Sequence, residues 1–212
     1  MCLAASAVVA SSFMAPMTSL AAVNPPVIAL DPGHGGSENG KVGNGLVEQH
    51  LNYTISKYTK EELERYLNTR VVMTRAADET VSLPDRAKRA VEQGAAVLIS
   101  QHNNSTTNTE VNGTEIFVSN LAQFRPSSTV LAQNILNELT GLGLYSRGVK
   151  VRLSENGTKT STGETADYYA VIKAAAELGI PGLIVEHAFM TNAGDVANYL
   201  STDEQLKGLA LA

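Results

Sequence analysis

The sequence predicts an α/β fold: one domain built on a mostly parallel, twisted sheet of about six strands, with helices on both faces. Three observations predict it. Short β-branched runs alternate with longer stretches of helical periodicity, which is the pattern of βαβ units. The first, third and last strand candidates are continuously apolar, as strands covered on both faces are. A length of 212 residues, with 43% hydrophobic and 17% charged, suits one domain with a full core.

Taken in order, residues 1–23 contain no charge and close with Ser19-Leu20-Ala21-Ala22. Small residues one and three before a cut are what signal peptidase accepts, so 1–22 is expected to be a signal peptide cleaved after Ala21 or Ala22. The basic n-region is missing, since the first Lys or Arg is Lys41, and the native start is expected upstream of Met1. A membrane anchor would need about 20 continuous apolar residues; Pro16 and the Ser/Thr content argue against one, and no stable anchor is expected. Cys2 precedes the apolar stretch, whereas a lipobox cysteine follows it. Residues 23–26, with Asn24-Pro25-Pro26, read as a stiff spacer, and 27–212 as the domain.

Strands are expected at 27–31, 70–74, 96–101, 114–119, 149–153 and 182–185. Helices are expected at 48–67, where Leu51, Ile55, Tyr58 and Leu63 keep near-helical spacing, and at 83–93, where Pro84 sits at the tolerant start. Two more amphipathic stretches lie at 128–139 and 167–178, and the polar 154–165 reads as a loop. At the end, Ser201 with Glu204 three residues later looks like a helix cap. The helix it opens, 205–212, stops while still apolar, so the chain is expected to be trimmed there too.

Charge and cysteine content exclude some functions. With 16 Lys+Arg against 21 Asp+Glu, no basic field exists to hold nucleic acid. One Cys closes no intramolecular disulfide and provides no four-cysteine zinc set.

Ligands of open parallel sheets bind beyond the carboxyl ends of the strands. Past the first strand comes Asp31-Pro32-Gly33-His34, past the third Gln101-His102-Asn103-Asn104, and past the last Glu186-His187; a helix beginning near the same rim supplies Glu48. Two His and one Glu are a common first shell for catalytic zinc, which leaves a fourth position to water. Glu186 is then placed to act as a base. Spacing alone leaves other readings open: a phosphate-cradling turn at His34, a dipole-favouring Glu48, a satisfied core His102. Glu186 would be an unpaired buried charge unless a cationic or catalytic group sits beside it. His50, about 200° round the helix from Glu48, reads as surface. His187 either points to the opposite side of the strand from Glu186 or lies in a turn, touching the site or the substrate. Asn103 is a candidate for the same supporting role.

The segments VIALDPGHGG, LVEQHLN, VVMTR followed by LPDRA, LISQHNNS followed by NGTEIF, and IPGLIVEHAFMTNAGD stand in one order from Val27 onward. Together they resemble the zinc-dependent N-acetylmuramoyl-L-alanine amidases of the Amidase_3 type, over essentially all of 27–212. The resemblance implies a catalytic domain that hydrolyses the amide between the lactyl group of N-acetylmuramic acid and L-alanine in peptidoglycan. It implies one Zn2+ on His34, Glu48 and His102, and Glu186 as the catalytic carboxylate. Together with the expected signal peptide, this points to a secreted enzyme of the bacterial cell wall or periplasm; the sequence leaves the oligomeric state open, with monomer the default. His187-Ala188-Phe189 stands where a Gly-Phe pair is usual, and Gln101 and Asn103 replace more apolar neighbours of His102; these departures bear on rate and preference. Two alternatives remain: a catalytically silent wall-binding or regulatory domain of the same fold, and a zinc peptidase cutting within the stem peptide.

Overall fold

Successive apolar residues along the central strands feed two separate cores, one on each face of a single sheet. The structure, a computed structural model, describes residues 25–66 and 69–212. The expected signal peptide and the first part of the spacer lie outside the described residues.

The elements run β1 (Val27–Pro32), β2 (Val42–Gly43), β3 (Leu46–Val47), α1 (Glu48–Leu63), β4 (Arg70–Met73), α2 (Leu83–Glu92), β5 (Val97–Asn104), β6 (Thr114–Val118), α3 (Arg125–Gly141), β7 (Ser146–Lys150), α4 (Ala170–Glu177), β8 (Gly182–Phe189), α5 (Ala193–Asp195) and α6 (Asp203–Leu211), with a π-helical turn at Val196–Leu200 between the last two. Six strands form the sheet in the order β4-β1-β5-β8-β6-β7. The four from β4 to β8 are parallel, and β6 pairs antiparallel with β8. Only residues 105–113 join β5 to β6, too few for a parallel crossover, which needs about a dozen or more. The α3 crossover then lays β7 parallel to β6.

Leu30, Ile99, Leu183 and Val185 face α1, α3 and α6, packing with Ile55, Leu136 and Leu209. Their neighbours Ala29, Leu98 and Ile184 face α2 and α4, packing with Ala87, Ala90, Ile172 and Ala175. Each fully buried Leu or Ile contributes about 1.5–3 kcal/mol. This double coverage is the reason those strands lack polar alternation. α2 starts as its sequence requires: the Ser82 side chain accepts from Asp85 N at 3.3 Å, with Pro84 in the first turn.

Several boundaries differ from expectation. β5 and β8 continue through His102 and Glu186, because these polar residues still pair across the ladder; apolar patterning ends before hydrogen bonding does. β7 lies at Ser146–Lys150 instead of 149–153, set by Thr114 N donating to Tyr145 O. α3 starts three residues early, at Arg125. α4 starts only at Ala170, because Asp167 is held in the preceding loop by Ser119 Oγ and Asn120 N. The last helix is capped by Thr202 with Gln205, one residue later than the expected Ser201 and Glu204. The Gln205 side chain reaches back to the Thr202 N–H, whereas Ser201 spends its hydroxyl on Val196 O.

Candidate active site

The first donor sits on a turn that only close backbone approach permits. After β1, a Cβ on Gly33 would stand 2.2 Å from the His102 ring, and His34 itself adopts φ 59°. Such left-handed geometry is uncommon for a residue with a side chain, and two buried arginines hold it in place. Arg75 donates through Nε to Pro32 O at 2.8 Å and through Nη2 to Gly33 O at 3.2 Å. Arg86 donates to Pro32 O at 2.7 Å and His34 O at 2.5 Å, and pairs with the buried Asp31 carboxylate at 2.9 Å. Asp31 also accepts from Thr74 Oγ1 and Ser100 Oγ, so its charge is fully engaged.

The β2–β3 hairpin, turning at Asn44 and Gly45 with positive φ, delivers Glu48 at the start of α1. Lys41 N donates to its Oε2 at 2.8 Å, leaving Oε1 to face both imidazoles. His34 Nε2 lies 3.2 Å and His102 Nδ1 3.0 Å from that oxygen, and the three donors fall within 4.8 Å of one another. Donors about 2.0–2.1 Å from a tetrahedral ion stand about 3.3 Å apart, so both histidine–Glu48 separations suit one zinc ion, and the three donors are near enough to share it. Burial alone would raise the Glu48 carboxyl. The hydrogen bonds and charge of His102 and His34 outweigh it and hold the group well below the usual carboxylate range, in the state a metal ligand needs.

Glu186 is the cross-strand partner of His102, and the two side chains therefore rise on the same face. Its backbone carbonyl accepts from Thr114 Oγ1 at 2.9 Å. Its Oε2 is buried without a hydrogen-bond partner. Burial pushes this carboxyl up to about 7; the charge of His102 opposes the rise, while Glu48 and Glu115 add to it. A carboxyl poised near neutrality beside three convergent donors is suited to moving a proton. A cleft of about 440 Å³ opens over His34 and His102, walled by Val81, Leu83 and Tyr169 from the starts of α2 and α4.

Residues 28–212 match the family Amidase_3, described as N-acetylmuramoyl-L-alanine amidase. The chain belongs to this family. It is 33% identical over 171 residues to the N-acetylmuramoyl-L-alanine amidase LytC of Bacillus subtilis (strain 168), covering 80% of this chain and 30% of LytC. To the sporulation-specific N-acetylmuramoyl-L-alanine amidase of the same strain it is 30% identical over 184 residues, or 86% of this chain and 63% of that one. It thus spans only part of the length of these relatives. Among solved structures, the N-acetylmuramoyl-L-alanine amidase from Clostridium difficile 630 superposes with a TM-score of 0.75 at 25% identity, covering 89% of this chain and 92% of that one.

In this Amidase_3 chain, all four residues selected from the sheet rim converge, while the remaining histidines do not join them. His50 is exposed on α1. His187 lies within β8, on the opposite face from Glu186, its Nε2 bonded to Gln101 Oε1 and its Nδ1 without a partner. Burial pushes its imidazole down to about 3. The turn position that would have brought it to the site is not adopted, because Glu186 and His187 are both still in the ladder.

Asn103 reaches the site from behind. Its N–H points at Glu48 Oε1 at 3.4 Å, and its Nδ2 donates to Asn52 Oδ1 at 2.9 Å. Asn52 Nδ2 in turn donates to Glu48 Oε1 at 3.3 Å and to Gly33 O at 3.2 Å. Sequence reasoning assigned no role to Asn52, Arg75 or Arg86. The available signal was Asn52 at i+4 from Glu48 on one helix face. For the arginines, the motifs VVMTR and LPDRA were visible, but not their backbone partners.

Proposed function

We propose that this chain is the catalytic domain of a peptidoglycan hydrolase that cleaves the amide between the lactyl group of N-acetylmuramic acid and L-alanine of the stem peptide. The observation that supports it best is the convergence of His34 Nε2 and His102 Nδ1 on Glu48 Oε1, at 3.2 and 3.0 Å, beside the unpartnered Glu186 Oε2. In this reading His34, Glu48 and His102 hold one Zn2+, which when bound supplies Lewis acidity to the scissile carbonyl and to water.

The chain's own residues do the rest. Unprotonated Glu186 accepts a proton from water as the water oxygen attacks the amide carbon. It returns that proton to the alanine nitrogen as the C–N bond breaks, so the products are a muramyl carboxylate and a peptide with a free amine. Asn52 and Asn103 keep Oε1 of Glu48 turned towards the histidines. Arg75 and Arg86 keep His34 in its left-handed turn. Export agrees with a substrate outside the cytoplasm, and we assign residues 1–22 to a signal peptide; among the described residues no helix is long and apolar enough to cross a membrane. The catalytic unit is proposed to act as a monomer.

Mass spectrometry of purified peptidoglycan digested by the zinc-loaded protein tests this. Release of intact stem peptides with a free L-alanine amine is the expected result. Cleavage inside the peptide would make the protein a peptidase, and no cleavage at all would make it a silent binding domain.

A further inference from the structure

On the face of the sheet opposite Glu186 and His102 lies a cavity that the hydrolytic steps do not use. Its volume is about 290 Å³. Ile99 and Val185 form its floor on the sheet, and Leu63 of α1 with Leu131 and Ile135 of α3 form its walls. Two polar side chains interrupt this apolar lining. Gln101 and His187 stand next to His102 and Glu186 along β5 and β8, and strand alternation sends them to the reverse face.

His187 is only 3% exposed and Gln101 only 4%. They bond to each other through His187 Nε2 and Gln101 Oε1. An amide oxygen only accepts, so Nε2 carries the imidazole hydrogen. Burial pushes the ring down to about 3 and so keeps it neutral. Nδ1 is therefore a bare acceptor, and it is buried without a hydrogen-bond partner. The other polar groups of the lining are engaged: Thr59 Oγ1 donates to Ile55 O at 3.0 Å, and Glu62 pairs with Arg65 at 2.6 Å towards the surface. A buried acceptor left unpaired is costly, and a ligand that brings one donor removes the cost. An apolar lining with a few placed polar groups is the usual make-up of a small-molecule site. An engineered apolar cavity of about 150 Å³ takes up benzene, so this larger one has room for a single ring with a short substituent.

We propose that this cavity binds a small hydroxylated aromatic molecule, its ring against Ile99, Val185 and Ile135 and its O–H donating to His187 Nδ1. The site is separate from the cluster of His34, Glu48 and His102 and does not depend on the amidase reading. Its occupant lies against β5 and β8, the strands that carry His102 and Glu186, from the side away from the cleft.

Phenol and toluene, which match in size and differ in the hydroxyl, are the probes, titrated by NMR into the zinc-loaded protein and into the chelated one. A purely apolar cavity prefers toluene, because phenol gives up its hydrogen bonds to water on entry. Nδ1 reverses that order, and phenol is expected to bind about fivefold or more tighter than toluene, with or without the metal. His187→Phe should restore the preference for toluene, and Leu131→Trp, which fills the cavity from α3, should abolish binding of both probes. Toluene binding as tightly as phenol in the wild-type protein would leave Nδ1 to water and overturn the site. A phenol preference that persists in His187→Phe would overturn it too. So would phenol binding that is lost on chelation or survives Leu131→Trp, since either places the probe elsewhere.

Discussion

Arg86 illustrates what single residues do in this protein. Its guanidinium is buried, paired with buried Asp31, and bonded to the carbonyls of Pro32 and His34. Arg86→Met strands the Asp31 charge, and breaking a buried pair costs about 3–5 kcal/mol. Urea titration should show a loss of that size, together with weaker zinc binding as the His34 turn relaxes. Arg86→Lys should recover less than half, since an ammonium cannot span three acceptors in a plane.

Glu186 gives two pH dependences of opposite sign. In the metal-free protein its folded value of about 7 lies above the ordinary 4.5. The native state therefore binds more protons than the unfolded state between those values, and stability falls as pH rises from about 4.5 to about 7. Activity is expected to run the other way, because the carboxylate is the working form in the proposed mechanism, so kcat/KM should rise with pH along an acid limb ending at or below about 7. A bound cation lowers that limb. Denaturant midpoints of the chelated protein from pH 4 to 8, set beside a pH–rate profile, check both signs. A Glu186→Gln protein that keeps the stability slope would show that another group causes it.

At the level of elements, legibility followed periodicity. β1, β5 and β8 were readable because Ala29-Leu30, Leu98-Ile99 and Ile184-Val185 fill cores on both faces. The β2–β3 hairpin was not, since two-residue strands at Val42–Gly43 and Leu46–Val47 have no period to detect. Yet this hairpin fixes Glu48, whose N–H donates to Lys41 O at 2.9 Å. Of the four proposed site residues, His34, His102 and Glu186 were legible because strand ends are where parallel sheets put chemistry, and Glu48 because it opens a helix near the same rim. Arg75, Arg86 and Asn52 were not, because their partners are backbone carbonyls and side chains brought near only by folding. The corrected cap of α6 is testable in the same terms. Thr202→Ala removes an N-cap that accepts from Gln205 N at 3.2 Å and should cost about 0.5–2 kcal/mol. Ser201→Ala should cost less, and the reverse order in thermal melts would restore the cap to Ser201.

For the whole molecule, the proposed metal would link folding to function. Because His34 follows β1 while His102 lies in β5 and Glu48 opens α1, a bound ion would tie together elements far apart in sequence. A ligand of the native state at 100 times its dissociation constant stabilises by about 2.7 kcal/mol, or roughly 5–10 °C for a domain of this size. Chelation should lower the melting temperature of the wild-type protein by that much and leave His34→Ala unmoved. A wild-type protein indifferent to chelator would mean that the three donors hold no ion.

The central claim is that the metal ligands and the proton carrier are different residues with separable jobs. The most direct measurement is zinc stoichiometry and turnover on peptidoglycan, taken together, for wild type, Glu186→Gln and His34→Ala. The expected result is one zinc and full turnover in the wild type, and one zinc with turnover lower by about 10²–10⁴ in Glu186→Gln. His34→Ala should lose both zinc and turnover. Normal turnover in Glu186→Gln, or a full complement of zinc in His34→Ala, would contradict it.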